Sequence, residues 1–474
     1  MQVLLLQDVL HKLEPELDIQ FAAPTGKAAK RMQEVVHKEV KTLHSKFKLG
    51  TSDDTLFDKD EGDSDYGETA FFFDEGAMIT IDLLYKVLKK VDIESSRVFL
   101  FGDFDQLPPI GKGLPFKNLL RFMPCVFLTV TKRAVEGSNI TANSNWVNQN
   151  SESTNWHNLE SKDDFFLVPC NQDTIQSVVY DLCSYYLGKA SLDQVNRIKK
   201  YLGTTEIPKV DDITEDDIQV VSPLSKETYS WGTSKLNAVL EPLFNVNKNV
   251  KNTFIYKTFA SSPEAIYSIG DRVIHIDKNM YSMQWYSSYE NGEFQKIYGC
   301  GICNGEVGKV VDFLPSRSCD FYKENEFKPE DFEYYKDLRD DSTWYGDNKW
   351  FVVVEYYDYI SARNFYILYR AEDNQIQDNR GRGLKGDDLS KLNLFYAGTT
   401  HKLQGSQAKI IICALSDVNY SGFITRQMIY TMFTRGEKLV IAVGSVGNTQ
   451  SSMLSRARRD VAARDVLTVG ELII

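Results

Sequence analysis

Residues 98–109 read VFLFGDFDQLPP: four apolar residues, a glycine, two acids either side of a phenylalanine, a glutamine, a leucine and two prolines. A short apolar run that stops abruptly in polar residues predicts a strand buried on both faces. Its polar sequel, Gly102 to Pro109, then lies at the carboxyl end, where open α/β sheets gather their ligands. A glutamine there can sense a γ-phosphate or orient a water, and the prolines stiffen the loop that carries it. A mere turn would not need that combination.

Working outward, three more runs share this form: residues 19–23, 70–73 and 126–130, ending in PTGK, DEG and TKR. Helical stretches separate them, which predicts an α/β fold with a parallel sheet covered on both faces. A second set at 218–221, 394–397, 410–414 and 439–443 predicts a second α/β lobe. Between about 266 and 388 the texture changes to GDRVIHI, GEVGKVVDF, WFVVVEYYDY and NFYILYRA, punctuated by glycine, as in a small antiparallel barrel. At the start, Val3, Leu6, Leu10 and Leu13 follow helical spacing with no capping residue before them, so a helix entered in mid-turn is expected, with something belonging before it.

The 474 residues carry a net charge of −12, unevenly placed. Residues 53–68, 211–217 and 324–341 together hold 21 acids and 4 bases, leaving +5 on the remainder. Acidic runs read as solvated loops, and the mildly basic body permits a polyanion partner. Seven cysteines at irregular spacing argue against a disulfide framework. With no secretory signal and no apolar run long enough for a membrane helix, an intracellular protein with no membrane partner is expected. Cys300 and Cys303 form a CxxC to which Cys319 could add a third ligand, but no fourth ligand falls at zinc spacing. Asn304-Gly305 beside them reads as a turn.

Four clusters can carry chemistry. Asp74-Glu75 after FFF puts two carboxylates at a strand end; the first suits Mg²⁺ and the second a water, although an acidic helix start would look the same. Gln106 heads the second cluster. His401-Lys402-Leu403-Gln404-Gly405-Ser406 sets donors and a glycine beside another strand end, suited to phosphate or single-strand backbone. Arg133 and Arg435 are candidate arginine fingers, surface salt bridges being the plainer reading of each. PTGK at 24–27 is no P-loop, since Ala28 follows Lys27 and no glycine stands five before Gly26.

In this order the strings resemble the RecD/TraA-like branch of superfamily 1 helicases, which moves 5′→3′. AAPTGKAAKRM (22–32) looks like motif Ia, Thr42-Leu43-His44 like Ib, FFFDEGAM (71–78) like II and GDFDQLPPIGKG (102–113) like III. LTVTKRA (128–134) is similar to motif IV, YAGTTHKLQGSQ (396–407) to V and YTMFTRGEKLVIAVG (430–444) to VI. VVSPLSKETYSWGTSKLN (220–237) resembles the family's S-P…G-T…L-N segment. Ala77 stands where the family has serine, Ala134 where it has glutamine and Gln407 where it has glutamate.

The resemblance implies two RecA-like lobes, 1–135 and 136–265 with 389–474, and an SH3-like accessory barrel at 266–388. It implies an ATP-dependent DNA helicase taking ATP with Mg²⁺, single-stranded DNA and duplex junctions. Asp74 would serve the metal, and Glu75, Gln106, Arg133 and Arg435 the reaction. Asp74, Gln106, Arg133, Gly405 and Arg435 would line the nucleotide. Pro24, Thr25, His44, Ser222, Thr400, His401 and Lys402 would touch the strand. The family's wedge falls at 50–68, here strongly acidic. The family's P-loop would precede the first helix, and no G-x-x-x-x-G-K-[ST] occurs in the chain. The expectation is therefore of little ATPase activity without such a segment; an inactive, single-strand-binding derivative is the alternative.

Overall fold

The computed structural model describes residues 2–49, 68–128, 137–149, 159–246, 253–256, 265–276, 284–287, 289–290, 293–294, 302, 304–315, 349–358, 363–372, 389–416 and 424–446. Two compact units form: Met1–Leu240 with Ala397–Ile474, and Glu241–Tyr396.

The first unit opens with α1 (Gln2–Leu13), β1 (Asp18–Ala23), α2 (Gly26–Val36), β2 (Lys41–Thr42) and α3 (Leu43–Lys46). It continues through β3 (Thr69–Phe73), α4 (Ile81–Leu88), β4 (Arg97–Leu100) and α5 (Pro115–Leu119). The strands pair in the order β2-β1-β3-β4, all parallel. Successive side chains on a strand face opposite ways, which explains why these runs are apolar throughout. Phe21, Ala23, Ala70 and Phe72 pack with Leu10, Ala28, Met32 and Val36 of α1 and α2. Ala22, Phe71 and Phe73 pack on the other side with Leu43, Leu83 and Val87 of α3 and α4. Fully burying each such phenylalanine contributes about 1.5–3 kcal/mol. The helix expected at the start is present, with Leu10 buried and Leu13 exposed.

Two expectations need correction. Residues 126–128 of the expected strand 126–130 are not in a strand, and Val126, Phe127 and Leu128 are exposed. Apolar composition predicts a strand only where a neighbour supplies the ladder. Among the described residues, β4 ends the sheet and every one of its residues is only half-buried. The run 394–397 also is not one strand, as described below.

The chain then forms α6 (Asn139–Gln149), β5 (Phe165–Pro169), α7 (Ile175–Tyr186), α8 (Leu192–Leu202), β6 (Ile218–Ser222) and α9 (Thr233–Phe244). Among the described residues, ten strands follow: β7 (Thr253–Tyr256), β8 (Ala265–Ser268), β9 (Arg272–His275), β10 (Gln284–Ser287), β11 (Tyr289–Glu290), β12 (Glu293–Phe294), β13 (Val307–Pro315), β14 (Lys349–Asp358), β15 (Arg363–Glu372) and β16 (Leu392–Leu394). The chain ends its described course with β17 (Ala397–Thr399), β18 (Ala408–Leu415), α10 (Arg426–Phe433) and β19 (Gly436–Gly444). A second parallel sheet of the first unit has the order β17-β6-β18-β19-β5. The run 394–397 is therefore cut in two: Leu394 closes β16 of one sheet and Ala397 opens β17 of another. Strand β5, FFLVP, has the same apolar form but was not foreseen.

The second unit is antiparallel, as its texture predicts. Six strands pair in the order β10-β15-β14-β13-β9-β16 around Val273, Val310, Val352, Ile367 and Tyr369. Its edges, β10 and β16, do not pair with each other among the described residues. Asn304-Gly305 forms a turn with Gly305 at φ +98°, a conformation that suits glycine. Arg133, residues 50–67 of the acidic span, Cys300, Cys303 and Cys319 lie outside the described residues.

Candidate functional site

The two parallel sheets of the first unit meet through the loops at their carboxyl ends. In the first sheet, Phe73 ends β3 and Asp74 follows, its backbone N–H donating to Ala22 O at 3.1 Å. Glu75 then takes a left-handed conformation, φ +50° and ψ +43°, which costs a non-glycine residue on the order of 1 kcal/mol. Its N–H donates to Asp74 Oδ1 at 2.8 Å, and the next N–H, of Gly76, donates to Phe101 O at 2.7 Å. A Cβ on Gly76 would stand 2.7 Å from the Phe116 ring, so this residue must be glycine for the two loops to approach. The strained turn is thus held from both sides.

In the second sheet, Thr399 of β17 pairs with Ser222 of β6, and Thr400 N–H donates to Ser222 O at 3.3 Å. Ser222 is fully buried and its hydroxyl is engaged with the Leu224 backbone. Thr400 is buried with its Oγ1 unpartnered. His401 and Lys402 are half-buried in the next turn, and burial pushes both pKa values down. Gly405, at φ +78°, lets the loop come back toward Glu75: a Cβ placed on it would lie 3.9 Å from Glu75 Oε1. Arg435 is buried, its Nε donating to Thr431 O at 3.1 Å and its Nη1 to Ser406 O at 3.2 Å.

Cross-links tie the two sheets' loops together. Arg31 of α2 donates from Nη1 to Gly405 O at 2.5 Å and from Nη2 to Gln407 Oε1 at 2.7 Å. Leu107 N–H donates to Thr431 Oγ1 of α10 at 3.0 Å, in a buried setting. Gln404 Nε2 reaches Leu107 O at 3.5 Å. Asp103 Oδ2 accepts from Tyr430 Oη at 3.1 Å and from Gln106 Nε2 at 3.2 Å, while Asp103 Oδ1 accepts from Asp105 N–H at 3.0 Å. Burial raises the Asp105 carboxyl, and the neighbouring Asp103 adds to that against a hydrogen bond from Asn148.

Asp74, Glu75, Gln106, Gly405 and Arg435 thus all lie on loops of one seam. The remaining expected residues stand at the same ends of the sheets. Thr25 caps α2, its Oγ1 accepting from Ala28 N–H at 3.2 Å, just after Pro24 at the end of β1. Thr42 does the same for α3, accepting from Ser45 N–H at 3.2 Å, and α3 carries the exposed His44. Ala23 and Thr42 are register partners, so these two starts are neighbours.

Sequence reasoning missed Arg31, Asp103, Tyr430, Thr431 and Asn237 as participants. Asn237 exchanges both amide hydrogen bonds with the Ala397 backbone, at 3.0 and 2.7 Å, anchoring β17. All five fall inside the strings that carry the resemblance, which was the available signal.

Residues 3–112 match the AAA domain, and residues 394–443 match the UvrD-like helicase C-terminal domain. The ATP-dependent RecD2 DNA helicase of Deinococcus radiodurans is 33% identical over 117 residues, 25% of this chain and 16% of that protein. The chain carries a superfamily 1-like helicase domain. An uncharacterized protein of Methanocaldococcus jannaschii is 22% identical over 454 residues, 90% of this chain and 34% of that protein. The chain therefore spans about a third and about a sixth of the length of these two relatives. Bacteroides Pif1 bound to single-stranded DNA is 16% identical with a TM-score of 0.43, covering 93% of this chain and 85% of that one. Pif1 helicase from Candida albicans is 13% identical with a TM-score of 0.42, covering 99% and 98%. Both likenesses are remote. Among the described residues, no helix is long and apolar enough to cross a membrane.

The donor chemistry of the seam fits Mg·ATP as a substrate on one side. Asp74 and Glu75 offer the hard oxygens Mg²⁺ prefers, and the Arg435 guanidinium supplies a buried positive charge within the same loops. It does not supply the lysine and backbone nest that hold β- and γ-phosphates, because the sequence contains no such motif.

Proposed function

We propose that this chain serves an ATP-dependent DNA translocase and helicase of the RecD type, moving 5′→3′ on single-stranded DNA. The observation that carries the reading is the seam. A strained Glu75 on one sheet is set opposite Gly405 on the other, with Arg435 in the same loop cluster.

In this reading residues 1–135 form one RecA-like lobe, and 136–265 with 389–474 the other. Residues 266–388 form an SH3-like accessory domain. Asp74 would hold the Mg²⁺ that arrives with ATP. As the water's oxygen bonds to the γ-phosphorus, the bond to the ADP oxygen breaks, and the water's proton passes to Glu75. Arg133 and Arg435 stabilise the charge that develops on the phosphoryl oxygens, and Gln106 and Gly405 line the nucleotide. Pro24, Thr25, His44, Ser222, Thr400, His401 and Lys402 follow the DNA backbone along the carboxyl ends of both sheets. The buried Ser222 hydroxyl acts by shaping the turn at Leu224, and the half-buried Lys402 brings the charge.

These 474 residues contain no G-x-x-x-x-G-K-[ST] motif to cradle the β- and γ-phosphates. The absence of the P-loop motif favours one second reading, a single-strand-binding protein without ATPase activity. A forked-duplex assay separates the two, using the chain extended through its upstream coding sequence. ATP-dependent displacement from a 5′-tailed duplex, and not from a 3′-tailed one, is expected. Tight binding of the tail with no displacement would establish the second reading instead.

A further inference from the structure

Gly270 and Asp271, at the head of GDRVIHI, take no part in the site described above, yet they sit where the chain's connections converge. The chain passes between the two units twice, at Leu240–Glu241 within α9 and at Tyr396–Ala397. Both passages are fastened. In the first unit Asn237 of α9 holds the Ala397 backbone through two hydrogen bonds. In the second, the fully buried Asp271 accepts at Oδ1 from Asn245 Nδ2 at 2.8 Å and from Tyr396 Oη at 2.9 Å. Its Oδ2 accepts from Ser268 N–H at 2.6 Å. Asn245 directly follows α9 and Tyr396 directly precedes β17, so one carboxylate gathers both passages.

The neighbours of Asp271 are shaped for this. Gly270 has φ +96°, and a Cβ on it would stand 2.9 Å from Asn245 Oδ1. The Arg272 guanidinium lies 5.5 and 5.7 Å from the Phe244 and Tyr396 ring centres, and its Nε donates to Phe395 O at 3.0 Å. Linkers between domains ordinarily carry few contacts. A buried carboxylate with three donors resists deformation, because losing any one leaves it less well satisfied. From Tyr396 the chain enters β17, only three residues long, and then Thr400, His401 and Lys402. So short a strand has little slack to absorb a shift at its start. We propose that Asp271 and Tyr396 are positioning residues for the strand-contacting loop, setting the placement of Lys402 through the span 396–402. This rests on the DNA-binding reading above. By reciprocity, a strand held at Lys402 steadies the Asp271 cluster.

Binding of a fluorescein-labelled oligothymidylate to the 474-residue chain supplies the test. Tyr396→Phe keeps the ring against Phe244 and Arg272 and deletes only the hydroxyl, while Asp271→Asn keeps the shape and removes the charge. Each should weaken binding about 3- to 10-fold, and affinities within about 1.5-fold of wild type in either overturn the proposal. A double-variant cycle separates positioning from general loosening. If Tyr396 acts through the loop, Tyr396→Phe with Lys402→Ala should bind within about twofold of the worse single variant. Losses that multiply place its effect elsewhere and overturn the proposal. Hydrogen exchange in the wild-type chain needs no variant. The Arg272 and Phe395 amides donate to Tyr396 Oη and Arg272 O. The oligothymidylate should slow their exchange about threefold or more; unchanged exchange there, with residues 399–402 protected, contradicts the coupling. A wild-type chain that does not bind the oligothymidylate overturns the DNA-binding reading, whereas binding that is indifferent to Tyr396→Phe overturns this inference alone.

Discussion

The two parallel sheets of the first unit share one architecture and end in opposite chemistry. The carboxyl ends of β3 and β4 present Asp74, Glu75, Asp103 and Asp105. The second sheet's loops present His401 and Lys402 after β17 and Arg435 between α10 and β19. A cluster of acids alone repels a polyphosphate, and a cluster of cations alone binds one without activating water. On the function proposed above, neither sheet is a site by itself and the chemistry belongs to the seam. The cross-links support this, because Arg31 reaches from the first sheet to the Gly405 loop while Tyr430 reaches from the second to Asp103.

Cutting those links is the sharpest way to break the comparison. Arg31→Ala removes two charge-assisted hydrogen bonds and should cost about 1.5–3 kcal/mol in urea unfolding. Arg31→Lys should recover less than half, since an ammonium cannot match the guanidinium's two-pronged geometry. A loss under ~0.5 kcal/mol would mean the seam is not held there. Thr431→Val leaves the buried Leu107 N–H unsatisfied and should cost about 1–2 kcal/mol, whereas Thr431→Ser should be close to neutral; equal losses would contradict the assignment.

A smaller effect concerns protons. Burial lowers the His401 pKa from its ordinary value of 6.5, so the folded state binds fewer protons than the unfolded one. The sign follows: this contribution is fully present above about pH 6.5 and is lost as pH falls below it. His401→Gln should therefore flatten the acid side of the stability curve, and an unchanged slope would place the imidazole in solvent. Smallest is Lys402→Ala, which should weaken single-stranded DNA binding alike for all sequences and reduce the salt slope by about one. No change in slope would remove Lys402 from the strand.

The sheets were legible where strands are buried on both faces, because continuous apolar runs such as 70–73 and 410–414 have no other use. The same rule failed at 126–128, where composition was right but no described neighbour completes a ladder. It failed again at 394–397, where one apolar run serves two sheets. The strand-end positions of Asp74, Glu75 and Gln106 were legible, because each follows a continuous apolar run. Arg31 and Tyr430 were not, since an arginine on an amphipathic helix and a tyrosine before a threonine look like ordinary surface and core. Their roles arise from contacts across 374 and 327 residues of sequence, which no local pattern encodes.

The central claim is that the two ends form one reaction site, and a double-variant cycle in DNA-stimulated phosphate release tests it most directly. In the extended chain, Glu75→Gln and Arg435→Lys should each lower turnover by about 100-fold or more. Groups acting on one transition state are not additive, so the double variant should be no more than ~3-fold below the worse single. Losses that multiply through the double variant would contradict a shared site, and so would an Arg435→Lys chain with wild-type turnover.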